Sequence, residues 1–149
     1  MWRTLLIVLL SLSLATAKEK KSEFQKASEK AAKRKRPLIL IAAPQKGEFF
    51  KKVKELLQTK EGKRAISGSE VAFLCTKCDE DDKETAERLN RLKLAPNDEA
   101  LVVCDYQMVV VRRFGRVPKV EELADAVKEA KKICKRKKKV MRNIEKLFK

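Results

Sequence analysis

Hydrophobic and polar positions fall into blocks along this chain, and the blocks change period. Leu38–Ala43 (LILIAA) is a continuous apolar run bounded by Pro37 and Pro44. Such a run predicts a strand buried on both faces at the centre of a sheet. Over residues 46–60, Phe49, Phe50, Val53, Leu56 and Leu57 recur on one helical face, with lysines on the others. Gly62 and Gly68 punctuate the connection that follows. Glu70–Cys75 (EVAFLC) reads as a second apolar strand. The acidic stretch 79–82 leads into a helix over 83–92, where acids suit the first turn. Residues 100–105 (ALVVCD) and 108–113 (MVVVRR) predict two strands joined by a tight turn at Tyr106 and Gln107, hence an antiparallel hairpin. Gly115 and Pro118 precede a last helix from Val120, with Leu123, Ala124, Val127 and Ala130 at helical spacing.

The order is therefore β-α-β-α-β-β-α. A strand-helix-strand start requires a parallel pair joined by a right-handed crossover. The hairpin then extends the same sheet and the last helix covers a face. This is an α/β sandwich around a central mixed sheet, with no internal repeat.

The ends of the chain are basic. In residues 18–36, Phe24, Ala27, Ala31 and Ala32 fall at helical spacing among charged positions. They predict a modestly amphipathic helix that docks weakly and ends in Lys33, Arg34, Lys35 and Arg36. Pro37 marks the boundary, because the residue before a proline is pushed toward extended geometry. In residues 131–149, Val140, Met141, Ile144, Leu147 and Phe148 are spaced i, i+1, i+4, i+7 and i+8 between basic residues. The expectation is a helical extension whose apolar face packs back on its own domain, with solvated lysines outside. The alternative is a basic amphipathic helix lying on an anionic membrane surface or on a protein partner.

Residues 1–17 read as a cleavable export signal. Arg3 supplies the positive start, residues 4–14 the apolar run, and Ala15-Thr16-Ala17 the small-x-small cleavage pattern. The run falls short of the roughly 20 apolar residues of a membrane-spanning helix. The chain divides into a signal (1–17), a basic helical segment (18–36), a domain (37–130) and a basic tail (131–149), and a secreted or periplasmic location follows.

The formal net charge is +16, which draws a protein toward anionic partners without identifying them. Lys33, Arg34, Lys35 and Arg36, with Lys135, Arg136, Lys137, Lys138 and Lys139, are the candidate anion-binding residues. They fit an acidic protein partner or an anionic membrane surface. Nucleic acid is not read as the partner: aromatics make up 5% of the chain, which leaves no stacking platform, and no recognition motif accompanies the charge. No cofactor and no small-molecule ligand is expected.

Four cysteines and no histidine narrow the chemistry further. A Ser-His-Asp triad, a Cys-His pair and any histidine metal site are excluded within this chain. In an exported protein the four cysteines permit disulfides in three connectivities. Cys75-Thr76-Lys77-Cys78 is a Cys-x-x-Cys and the candidate catalytic pair. Asp79, Glu80, Asp81 and Asp82 follow at once, and their charge opposes thiolate formation at Cys78. Residues three apart in a strand are about 10 Å apart, beyond disulfide reach unless the chain has turned. A structural disulfide, unpaired thiols and a redox pair all stay open. A zinc site would also need Cys104 and Cys134 to converge on the pair.

Several of these residues also resemble a known family. An alanine- and lysine-rich helix (Ala27, Ala31, Ala32) leads into Arg36-Pro37-Leu38-Ile39-Leu40. The second strand ends near an aspartate, Asp79, before an acidic stretch and a helix. The hairpin is followed by Gly115 and by Glu121-Glu122-Leu123. This pattern, from Phe24 to Ala130, resembles the thioredoxin superfamily, especially exported thioredoxin-like domains. The resemblance implies a Cys-x-x-Cys after the first central strand, where this chain has Ala43-Pro44-Gln45-Lys46-Gly47-Glu48. It also implies a cis-proline before the first hairpin strand, where Asp98 or Glu99 stands and Pro96 comes too early. Without the thiol the family's exchange chemistry cannot start at that position. The expectation is an exported, non-catalytic thioredoxin-like binding module. The alternatives are a thiol-disulfide oxidoreductase using Cys75 and Cys78, and a basic protein that associates with membrane surfaces.

Overall fold

A computed structural model describes residues 22–44, 46–75, 83–95 and 98–149. The export signal, Gln45, residues 76–82 with Cys78, and Pro96 lie outside the described residues.

The first element, α1 (Glu23–Arg34), begins at a capping box: the Ser22 hydroxyl accepts from the Gln25 N–H (3.2 Å) and the Gln25 amide oxygen from the Ser22 N–H (3.0 Å). It ends where Lys35 turns left-handed (φ 53°), just ahead of Pro37. Phe24, Ala27 and Ala31 are buried, Ala31 completely, while Ala32 faces solvent. Docking is thus closer than the predicted weak contact, because small alanines let the helix approach the sheet.

β1 (Leu38–Ala43) follows and is buried along its whole length. It pairs in parallel with β2 (Glu70–Cys75) and antiparallel with β3 (Ala100–Cys104), and β3 pairs antiparallel with the edge strand β4 (Val110–Phe114). The sheet order is β2-β1-β3-β4. Two elements fill the β1–β2 crossover, α2 (Glu48–Gln58) and α3 (Lys60–Ala65); α4 (Lys83–Arg91) follows β2. α5 (Val120–Leu147) closes the chain. Alternate strand residues feed two cores. Leu38, Leu40, Ala42, Val102 and Cys104 face the buried residues of α1 and Leu89, Leu92 and Leu94. Ile39, Ile41, Ala43, Leu101 and Val103 face α2 and α5. That alternation is the period-2 geometry of a strand covered on both sides.

Three expectations are corrected. Residues 60–65 are helical, capped by the Thr59 hydroxyl accepting from the Gly62 N–H (3.0 Å), where a punctuated connection was expected. The hairpin turn at Tyr106 and Gln107 is tight, with the Met108 N–H donating to the Asp105 carbonyl (3.0 Å), but the second strand starts later than expected. The loop spans residues 105–109, with Met108 left-handed (φ 63°), and β4 starts at Val110. The Asp105 carboxylate organises that loop by accepting from the Gln107 N–H (2.8 Å) and the Val109 N–H (3.0 Å). Lastly, the apolar face of the tail does not pack back on the domain. α5 runs unbroken past residue 130, and Val140, Met141, Ile144, Leu147 and Phe148 are all exposed. Among the described residues no helix is long and apolar enough to cross a membrane.

Candidate anion-binding cleft

Two basic segments about a hundred residues apart in sequence meet at one pole of the sheet. β1 starts immediately after Lys35, Arg36 and Pro37, β2 starts immediately after Gly68 and Ser69, and β3 ends there, with Cys104 opposite Leu38. α5 crosses toward the same pole, burying Leu123, Ala126, Val127, Ala130 and Cys134. Its flank then lies beside the starts of β1 and β2. Lys131, Lys135 and Lys138, at i, i+4 and i+7 on that flank, face Lys35 and Arg36 across a cleft of about 240 Å³. Pro37, Gly68 and Cys134 complete the lining, and among the described residues no acidic side chain contributes to it.

Each wall is held by specific contacts. Asp105, fully buried at the end of β3, accepts from the Lys137 ammonium through Oδ2, and Gln107 Oε1 accepts from the same ammonium (2.9 Å). The Tyr106 backbone N–H donates to the Cys134 sulfur. The Lys35 ammonium lies 4.8 Å from the centroid of the buried Tyr106 ring, a cation–π distance. Lys131 donates to the Ser67 carbonyl oxygen. Gly68 is left-handed (φ +74°), and a Cβ there would stand 3.5 Å from the end of the Lys131 side chain. The turn before β2 therefore needs glycine for its conformation, and Lys131 uses the space above it. Together these contacts fix the loop 105–109, the end of α1 and the root of α5 against one another.

The predicted anion-binding residues divide accordingly. Lys35, Arg36, Lys135 and Lys138 line the cleft. Arg34 pairs with Glu70 at 3.6 Å, and Lys137 is committed to Asp105. Lys139 lies with Arg142 and Lys146 along a second groove farther out on α5, which Lys135 and Lys138 also border. Lys33 and Arg136 are exposed and line neither. Lys131 was missed, although its spacing to Lys135 and Lys138 is legible as one helical face.

The cysteines occupy different places. Cys75 ends β2 opposite Ala43, at the other pole of the sheet. Five residue steps along a strand separate the poles, about 16 Å, so the cleft and the Cys75 pole are separate sites. The side chain of Cys75 and all of Cys78 lie outside the described residues. Cys104 stands across from Leu38, at the cleft pole, so it cannot share a zinc ion with Cys75. Cys104 and Cys134 are free, buried thiols. Burial, and then the neighbouring Asp105 charge, push the Cys104 thiol up to about 12; burial also raises Cys134. Both stay protonated at neutral pH and are poor nucleophiles.

At the Cys75 pole, β1 passes into α2 through Pro44, Lys46 and Gly47, with the Gly47 N–H donating to the Pro44 carbonyl (3.0 Å). A Cβ built on Gly47 would stand 3.4 Å from a Glu99 carboxylate oxygen. A carboxylate on the residue ahead of β3 thus sits beside the start of α2.

No family model and no curated protein matches this chain. Solved structures do. A DsbH oxidoreductase superposes with a TM-score of 0.55 at 18% identity, covering 77% of this chain and 88% of its own. A thioredoxin from Thermus thermophilus superposes with a TM-score of 0.52 at 15% identity, covering 73% of this chain and 82% of its own. With its β2-β1-β3-β4 mixed sheet between two helical layers, the chain has the thioredoxin-like fold.

Proposed function

We propose that this protein is an exported, non-catalytic thioredoxin-like module that binds an acidic partner through the cleft at the starts of β1 and β2. The observation that carries this reading is the convergence of Lys35, Arg36, Lys131, Lys135 and Lys138 on one cavity whose lining, among the described residues, holds no acid. Five cations around about 240 Å³ repel one another, and a carboxylate or phosphate group entering the cleft relieves that repulsion. The Asp105–Lys137 link supports the reading, since it sets the lysines of α5 in register with Lys35 and Arg36 before any ligand arrives. The position where thioredoxins carry their cysteines holds Pro44-Gln45-Lys46-Gly47 instead. Export follows from the signal read in residues 1–17.

A second reading, thiol-disulfide exchange by Cys75 and Cys78, is favoured by one observation. Cys75 is paired with Ala43, so it shares a pole with the loop before α2, and ligands of open α/β sheets bind beyond the strands' carboxyl ends.

Binding of a labelled polyglutamate peptide tests the cleft. The wild-type affinity is expected to fall steeply with salt. A Lys135→Glu/Lys138→Glu chain should bind about tenfold more weakly, a change of about 1.4 kcal/mol. A Lys33→Glu/Arg136→Glu chain carries the same net charge but leaves the cleft intact, and should lose far less. Equal loss in the two chains would show that net charge alone attracts the peptide and would remove the cleft from the account.

A further inference from the structure

The face of α5 that is buried in the domain continues, uncovered, beyond it. Val127, Cys134, Met141 and Phe148 follow one another at steps of seven, as do Ala130, Lys137 and Ile144. Val127, Ala130 and Cys134 are buried, and Lys137 anchors to Asp105. One turn later Met141 and Ile144 are each 44% exposed, and Leu147 and Phe148 reach 82% and 87%. From Lys138 to Leu147 the helix overhangs by about 15 Å at 1.5 Å per residue. The flank of that overhang is the basic groove of Lys138, Lys139, Arg142 and Lys146.

We infer that this overhang is a docking surface for an acidic amphipathic helix of a partner protein. The partner's apolar stripe would lie on Met141, Ile144 and Phe148, and its carboxylates on the flanking lysines and Arg142. Charge excludes a second copy of this chain, since residues 131–149 hold ten Lys and Arg and one Glu, and two such helices side by side repel. Geometry disfavours a bilayer. The uncovered face is the one that meets the sheet a turn earlier, so a flat surface approaching it would strike the end of the sheet and the layer of α1 and α4 beneath. One helix, about 10 Å across, fits in that step. The apolar face, Lys139, Arg142 and Lys146 are distinct from the cleft, whereas Lys135 and Lys138 border both surfaces.

The test uses the protein from Lys18 onward, two acidic peptides and vesicles. One peptide is amphipathic, with leucines on a helical face and glutamates elsewhere; the other has the same composition scrambled. The amphipathic peptide should bind at least about tenfold more tightly and gain helical circular dichroism on binding. An Ile144→Ser/Leu147→Ser/Phe148→Ser chain, altered only at exposed side chains, should lose that preference and keep its affinity for the scrambled peptide. Lys35→Glu/Arg36→Glu, confined to the cleft, should weaken both peptides yet keep the preference for the amphipathic one, so a failed cleft and a failed overhang give different patterns. Equal binding of the two peptides by the wild type would overturn the inference. So would binding to phosphatidylglycerol vesicles that the triple serine chain loses, which would assign the face to a membrane.

Discussion

An Asp105→Ala chain is expected to be about 3 kcal/mol less stable than the wild type, and to melt about 10 °C lower for a domain of this size. The carboxylate is fully buried and carries three hydrogen bonds at once, from the Gln107 and Val109 N–H groups and from the Lys137 ammonium. Alanine leaves two backbone donors without their acceptor and a cation without its counter-charge. Loss of a buried partner costs about 3–5 kcal/mol when the remaining ion cannot rehydrate. Lys137 is 31% exposed and can do so in part, which places the effect at the lower end. Asp105→Asn separates the two roles. Its amide oxygen can still serve both N–H groups, so only the ionic link is lost, for about 1 kcal/mol. Thermal melts give the stabilities, and polyglutamate binding should weaken in both chains as the root of α5 loosens.

Gly62→Ala should be at least as damaging, at about 3 kcal/mol or more, although it adds a single methyl group. Alanine normally favours a helix over glycine by about 1 kcal/mol, so propensity alone predicts a gain. The neighbourhood decides otherwise. A Cβ on Gly62 would lie 1.9 Å from the Leu56 carbonyl oxygen and 2.9 Å from Thr59 Oγ1. The first is backbone of α2 and cannot rotate away. α2 and α3 would have to separate, disturbing Leu57 and Val53 beneath them. Overpacking usually costs about 1–3 kcal/mol, and a clash with backbone lies at the upper end. Equal or higher stability of Gly62→Ala by denaturant titration would show that the junction is looser than this packing implies.

Both residues show where reading from sequence succeeds and where it stops. Leu38–Ala43 and Glu70–Cys75 were legible to the residue; the first is buried on both faces and writes a continuous apolar run, and the second is apolar although it lies at the end of the sheet order with Val71 exposed. Gly62 looked like punctuation because its constraint is a contact with another helix, which no local pattern carries. Met108 and Val109 looked like strand because they are apolar, but the Met108 N–H closes the turn on the Asp105 carbonyl and the Val109 N–H is taken by the Asp105 carboxylate. The stripe of Val140, Met141 and Ile144 was visible as a stripe; periodicity identifies a face but not what covers it. The basic clusters were visible separately. Their meeting depends on β1 starting where β3 ends, a property of topology that neither cluster contains. Residue 131 fell outside the cluster that was read because Ile133 and Cys134 interrupt it, though on a helix it stands in line with Lys135 and Lys138.

The proposed role of this thioredoxin-like fold is binding and not thiol chemistry. Disulfide-reductase turnover of the protein from Lys18 onward, beside Cys75→Ser and Cys78→Ser chains, tests it most directly. All three should be equally inert, while the wild type still binds polyglutamate at low salt. Turnover by the wild type that either serine chain abolishes would contradict it, and would make the Cys75 pole an active site.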